Sequence, residues 1–244
     1  LPLLRELGAY GLPTILSRGV STLADIEMAL SLTKGLERAL LHCVTAYPAP
    51  VEDYNLRLPP SLSALFGIAV GVSDHSLNPT LVPALSVAMG ASIVEKHICL
   101  SKEAGGLDDP IALIPGDFRR MKAAIIEASR QGAEATVRSL SDEYGAPLVE
   151  AILGSGVKRL APSEAANYGR TNRSIHALRE IGRGEILAAS KLALLRTEKV
   201  LAPGLAPGCW QSIVGRIARR DIGSGQGIDW EDVGDFPDPE NSGP

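Results

Sequence analysis

Four short apolar runs, each followed by a stretch with helical spacing, constrain the fold of this chain more than any other feature. The runs are Pro13-Thr-Ile-Leu-Ser17, Ala39-Leu-Leu-His-Cys-Val44, Ala69-Val-Gly-Val-Ser73 and Ser92-Ile-Val-Glu-Lys-His97. After the first, Ser21 or Thr22 caps a helix whose apolar face is Leu23, Ile26 and Leu30 and whose stop is Gly35. After the second, the loop Tyr47-Pro-Ala-Pro50 leads to a short helix near Ser61 to Phe66. A third helix runs from Thr80 to Met89 and closes at Gly90, with Pro83 disturbing its first turn. Phe118, Met121, Ile125 and Ala128 mark a fourth, long and amphipathic. Strands apolar on both faces and alternating with helices predict a parallel sheet with crossover connections.

Beyond this α/β region, residues 1–131, the texture changes. Residues 132–171 are mixed and polar, with Gly145, Pro147, Gly154, Gly156 and Pro162, and read as a linker. Residues 172–234 read as a small β-rich domain. Its strands are Ser174–Leu178 and Lys191–Leu195, with a tight turn at Ile181-Gly-Arg-Gly-Glu185 and a further run from Ile213 to Ile222. Residues 235–244 read as a disordered tail. The net charge of −4 and the lack of a basic stripe speak against nucleic-acid binding. No apolar run reaches the ~18 residues of a membrane span, and no signal peptide is expected. Cys43, Cys99 and Cys209 have no CxxC spacing and read as free thiols of a reducing, cytoplasmic compartment.

The chemistry-bearing residues cluster at the ends of the last two runs. Side chains at the C-terminal ends of parallel strands face the substrate in barrel enzymes. His75 and His97 end neighbouring strands, about 4.8 Å apart, so two imidazoles can share one divalent ion. The alternative is two independent polar residues at loop entrances. Residues two apart in a strand point the same way, so Ser73 accompanies His75, Glu95 accompanies His97, and Asp74 and Lys96 point elsewhere. Thr45 and Tyr47 leave the second strand together.

Several segments resemble the N-acetylneuraminate (sialic acid) synthase family, which includes the spore-coat polysaccharide synthases. They are Leu40-Leu-His-Cys-Val-Thr-Ala-Tyr-Pro-Ala-Pro50, Gly71-Val-Ser-Asp-His75, Ile93-Val-Glu-Lys-His97 and Gly105-Gly-Leu-Asp-Asp-Pro-Ile-Ala-Leu113. The later domain resembles the SAF, or antifreeze-like, module at Asn172-Arg-Ser-Ile175, Ile181-Gly-Arg-Gly-Glu-Ile186 and Gly215-Arg-Ile-Ala-Arg-Arg-Asp-Ile222. The resemblance implies that the four βα units are the second half of a (β/α)8 TIM-type barrel. It implies condensation of phosphoenolpyruvate with an N-acylated hexose, such as an N-acetylmannosamine-like sugar, to a nonulosonic acid and phosphate in surface-polysaccharide biosynthesis.

The family's metal ligands fall on His75 and His97, with Mn2+ the expected ion and Mg2+ or Co2+ alternatives, acting as a Lewis acid. Resemblance makes Ser73 and Ser17 phosphate ligands, Glu95 a residue that positions the sugar, and Asp108 a sugar contact. Thr45 and Tyr47 would line the same mouth. A barrel ion pair for Glu95, a packing role for Tyr47 over Pro48 and Pro50, and a solvated loop acid for Asp108 remain open. In the family the SAF module reaches over a second subunit's barrel in a domain-swapped homodimer. Its sugar-contacting arginine falls on Arg196, otherwise a surface arginine.

Two positions depart from the family. Leu12 stands where members commonly carry a lysine; Arg18 is a candidate replacement, since a guanidinium fork suits phosphate. Asp108-Asp-Pro110 replaces a common Asp-His, pointing to different sugar selection. Legionaminate- or pseudaminate-type synthesis is one alternative, and a non-catalytic barrel remnant with a carbohydrate-binding SAF module is another. With four strands rather than eight, residues 1–244 alone are expected to be inactive.

Overall fold

A computed structural model describes residues 2–168, 172–197 and 200–237. They fall into two compact units that divide between Ala165 and Ala166. In the first, β1 (Thr14–Arg18), β2 (Arg38–Cys43), β3 (Ala69–Asp74) and β4 (Val94–Lys96) form one parallel sheet in sequence order. Helix α1 (Pro2–Tyr10) precedes β1; α2 (Leu23–Leu32), α3 (Leu58–Phe66) and α4 (Leu81–Ala88) connect the strands; α5 (Pro115–Tyr144) follows β4. Thr22, rather than Ser21, caps α2 through a reciprocal capping box with Asp25. Helix α3 begins before Ser61 because Pro59 and Pro60 sit in its first turn, where no backbone N–H is needed. Strand β4 is shorter than expected, but Ser92 N–H to Val70 O (3.0 Å) and Val72 N–H to Ile93 O (2.8 Å) extend its ladder.

Strand parity divides the sheet into a covered and an open face. Leu16, Leu40 and Val70 meet Ile26 and Leu30 of α2 and Leu58 and Leu62 of α3. Val72 joins Leu81, Val82 and Leu85 of α4 in a second cluster. Residues of the other parity, Ile15, Ser17, Leu41, Gly71, Ser73 and Glu95, form the opposite face. Gly71 is required there: a Cβ would lie 2.4 Å from the Ile93 carbonyl oxygen and 2.8 Å from Leu41 Cδ2.

The segment read as a linker is, through residue 165, part of this unit. Gly132 breaks the helical backbone with φ 81° but α5 resumes to Tyr144, and α6 (Ala146–Leu153) and α7 (Pro162–Ala165) follow. Leu140, Val149, Ile152 and Leu153 are buried in the same cluster as Val72. The 149, 152, 153 spacing is one helical face. Gly145 and Gly154 are helix terminators and Pro147 a first-turn residue, so residues that suggest a linker here punctuate helices. Residues 169–171 lie outside the described residues.

In the second unit β5 (Arg173–Ala177) pairs antiparallel with β6 (Leu192–Arg196). Single bridges join Ile181 to Ile222, Ile186 to Ile217 and Ala218 to Val233. Ile175, Leu187, Ile213, Ile222 and Ile228 are its core. The run from Ile213 is not one strand, because Ile213 ends α8 (Trp210–Ile213) and Gly215 has φ 90°. The start of the expected tail is held: Asp235 O accepts from Ile217 N–H at 3.0 Å, and the Arg216 guanidinium lies 4.8 Å from the Phe236 ring centre. Residues 238–244 lie outside the described residues.

On the covered face, Lys96 Nζ pairs with Asp74 Oδ2 at 2.8 Å, both side chains fully buried. Asp74 Oδ1 accepts from the Tyr54 hydroxyl (2.7 Å) and Ser76 N–H (2.8 Å), and Lys96 also donates to Ser76 O. Burial pushes the Lys96 ammonium down in pKa and Asp74 pulls it back. Removing one partner strands a buried charge, so Lys96→Met is expected to destabilise the chain by about 3–5 kcal/mol, with Asp74→Asn/Lys96→Met recovering much of the loss. Urea unfolding measures both; a single variant within about 1 kcal/mol of wild type would mean that the pair is solvated. Gly71→Ala is expected to cost about 1–3 kcal/mol in the same assay by overpacking.

Candidate active site

The open face gathers most of the expected residues at the strand ends. Across the ladder Cys43 neighbours Ser73, and Ser73 neighbours Glu95. Ser73 donates to Glu95 Oε1 at 2.7 Å, and its oxygen lies 3.4 Å from His75 Nε2. The His75 ring centre is 5.3 Å from that of His97 and 4.3 Å from that of Tyr47. Tyr47 is also 6.1 Å from His97, ring centre to ring centre. Asp108 Oδ2 approaches His97 Nδ1 at 3.6 Å. The loop that carries Asp108 is closed at its base by Leu113 N–H to His97 O (2.8 Å) and Cys99 N–H to Leu113 O (3.0 Å).

His75 is held at three points. Its N–H donates to the Tyr54 hydroxyl oxygen (2.7 Å), its carbonyl accepts from Ala49 N–H (3.1 Å), and its Nδ1 lies 2.8 Å from Val44 O. A carbonyl only accepts, so Nδ1 carries the proton and Nε2 keeps its lone pair. Ser73 has given its single proton to Glu95 and makes no claim on that lone pair. Tyr54 therefore ties the site to the buried Asp74–Lys96 pair. Burial and the neighbouring Asp74 push its phenol well above the usual tyrosine range, so it stays a neutral donor.

Cys43, which sequence reasoning left as a buried thiol, is at the centre of the other half. Its Sγ lies 3.8 Å from Thr45 Oγ1 and 3.9 Å from His75 Nδ1. Burial pushes the thiol pKa up, while the Thr45 and Ser17 hydroxyls beside it pull it back. Ser17, Thr45 and His75 thus border one sulfur, with Ser73 the ladder neighbour of its residue. The parity rule that selected Ser73 selects Cys43 as well.

Arg18 is not among them. It follows Ser17 and so takes the opposite parity, onto the covered face, where it is 4% exposed. Its Nη2 lies 3.4 Å from His42 Nε2. That nitrogen also meets Tyr54 O, which only accepts, so the imidazole is the donor there and the arginine contact is not a hydrogen bond. Arg18 Nε and His42 Nδ1 have no hydrogen-bond partner among the described residues. Burial lowers the Arg18 pKa to about 10 against the pull of Glu164. A guanidinium in that place does not replace a phosphate-binding lysine on the open face. Arg196 is exposed on β6 in the other unit.

Two imidazoles sharing an ion at about 2.1 Å place their ring centres roughly 5 Å apart, and the pair here meets that requirement. Its donor set is incomplete as a cage: no group of three or more His, Cys, Asp or Glu gathers to hold a metal among the described residues. Two imidazoles alone would leave most positions of an ion to water or substrate. No helix of the described residues is long and apolar enough to cross a membrane.

Known proteins are similar to this chain over most of its length. The chain is 32% identical over 238 residues to the spore coat polysaccharide biosynthesis protein SpsE of Bacillus subtilis, covering 96% of this chain and 61% of that one. It is 29% identical over 239 residues to the N,N'-diacetyllegionaminic acid synthase of Legionella pneumophila, covering 95% of this chain and 60% of the relative. The crystal structure of the Bacillus subtilis protein superimposes with a TM-score of 0.83 at 31% identity, over 97% of this chain and 65% of that chain. The chain therefore spans about three-fifths of the length of these curated relatives. The NeuB family pattern matches residues 1–136 and that of the SAF domain residues 172–234. The chain belongs to the NeuB family and carries a SAF domain.

Proposed function

We propose that the open face is the later half of a synthase active site that joins phosphoenolpyruvate to an N-acylated hexose of the N-acetylmannosamine type. The observation that carries this is the set Ser73, Glu95, His75 and His97 on one face of β3 and β4, with the His75 Nε2 lone pair unclaimed. Relatives named as an acid synthase and as a polysaccharide biosynthesis protein support the reaction class. Strands β1 and β4 each have one partner among the described residues, and closing an eight-stranded barrel takes four more. The Arg196 of a second copy, in a swapped dimer, would complete the sugar site.

A divalent ion, manganese first among candidates, would be held by His75 and His97 and would supply Lewis-acid polarisation of the sugar aldehyde. The protein's own groups do the rest. Ser17 and Ser73 bind the phosphate; on binding, the Ser73 hydroxyl turns its hydrogen bond from Glu95 to the phosphate, freeing that carboxylate to orient a sugar hydroxyl. Asp108 and Tyr47 border the sugar. C3 of phosphoenolpyruvate attacks the aldehyde carbon, water adds at C2, and phosphate leaves. Holding both substrates in line supplies much of the rate.

Two measurements check this reading. In calorimetric titration with manganese, His75→Ala and His97→Ala are each expected to weaken binding at least ~10-fold, the scale at which lost metal-site interactions show; wild-type affinity in both would make the histidines structural. Phosphate release from phosphoenolpyruvate with N-acetylmannosamine and manganese is expected from the full-length protein and absent from residues 1–244 alone. Turnover by the shorter chain would show that these four strands suffice.

A further inference from the structure

We propose that Glu164, beyond the barrel strands, is a positioning residue that holds the ends of β1 and β2 together and thereby sets Ser17 and Thr45 for the phosphate side of the substrate. The inference rests on the functional reading above. Glu164 is 1% exposed. One carboxylate oxygen, Oε1, accepts from two main-chain groups, Val20 N–H at 2.9 Å and Thr45 N–H at 2.7 Å. Its other oxygen accepts from Ala161 N–H at 3.3 Å, at the start of α7, which carries the residue. Charge-assisted bonds of this kind are about twice as strong as neutral ones.

The two strand exits need such a tie. Neither Val20 nor Thr45 lies inside a strand, so the sheet ladder does not reach their amides. Val20 has φ 46°, a left-handed backbone that a β-branched residue holds only when its surroundings impose it. Gly19, between Ser17 and Val20, lies so close to Thr45 that a Cβ would meet the threonine hydroxyl oxygen at 1.9 Å. One carboxylate thus fixes the turn after β1, the second residue after β2 and the contact between them. Arg18 and Lys158 are both close enough to feel the Glu164 charge. Glu164 hydrogen-bonds to neither His75 nor His97; Tyr54 holds the His75 main chain separately, and only the Val44–Thr45 peptide, whose carbonyl lies on His75 Nδ1, is shared.

The test compares Glu164→Ala and Glu164→Gln in the full-length protein. Binding of phosphoenolpyruvate and of manganese is followed by calorimetry, and amide exchange at Val20 and Thr45 by NMR. Glutamine keeps one acceptor oxygen for those amides, while alanine removes it. The expected result is a ~10-fold or greater loss of phosphoenolpyruvate affinity in Glu164→Ala, with a distinctly smaller loss of manganese affinity, and substantial recovery in Glu164→Gln. Exchange at Val20 and Thr45 should accelerate in the alanine variant alone. Unchanged phosphoenolpyruvate affinity in the alanine variant would overturn the proposal. So would equal losses of both ligands in both variants, which mark general damage to the fold. Wild-type protein that binds no phosphoenolpyruvate would overturn the functional reading and with it the ligand role of Ser17. Slow Val20 and Thr45 exchange that depends on Glu164 would then still uphold the tie between strand exits, and fast exchange in wild type would overturn it.

Discussion

The two-residue period of β3 and β4 is the constraint on which the candidate site depends. One parity places Ser73 beside Glu95 on the open face; the other places Asp74 against Lys96 beneath it. The lower pair is a buried salt bridge, whose net stabilising value is small by nature. Its consequence is positional. Asp74 accepts from Tyr54, and the Tyr54 oxygen in turn accepts from the His75 amide. A one-residue slip of β4 would turn Glu95 to the covered face without a partner and Lys96 away from Asp74. Register is therefore strongly specified where the chemistry is.

The two halves of the site are built differently. On the β3–β4 side, hydrogen bonds to Tyr54 and Val44, with the buried ion pair behind Tyr54, fix the His75 imidazole. On the β1–β2 side, the strand ends are fixed by a carboxylate more than a hundred residues away in sequence, brought back by α6 and α7. The helical segment after Gly132 is thus part of the unit that carries the candidate site, with Ile152 and Leu153 carbonyls accepting from Leu56 and Arg57 N–H at 3.0 and 2.9 Å. The SAF unit has its own core around Ile175 and Leu187, consistent with a module that folds around itself.

Much of this was legible in the sequence. The four strands follow from their apolar runs, and parity alone separates Ser73 and Glu95 from Asp74 and Lys96. Arg18 shows what happens when the same rule is not applied: adjacency to Ser17 suggests a shared site, but adjacent strand residues face opposite ways. The helices of 133–165 were hidden because Gly145, Pro147 and Gly154 punctuate helices with the same residues that mark linkers. Glu164 carried no local signal at all. Its partners are backbone amides at Val20 and Thr45, and no side-chain pattern in the sequence records a main-chain donor. Cys43 was visible by position yet read only by residue type.

The central claim is that His75 and His97 face a single ion with Ser73 and Glu95 beside it. Anomalous X-ray diffraction from crystals of the full-length protein grown with manganese tests it most directly. The account predicts one anomalous peak within bonding distance of both imidazoles, with His75 ligating through Nε2 and its Nδ1 still on the Val44 carbonyl. Manganese bound elsewhere, with no peak between the two rings, would contradict it.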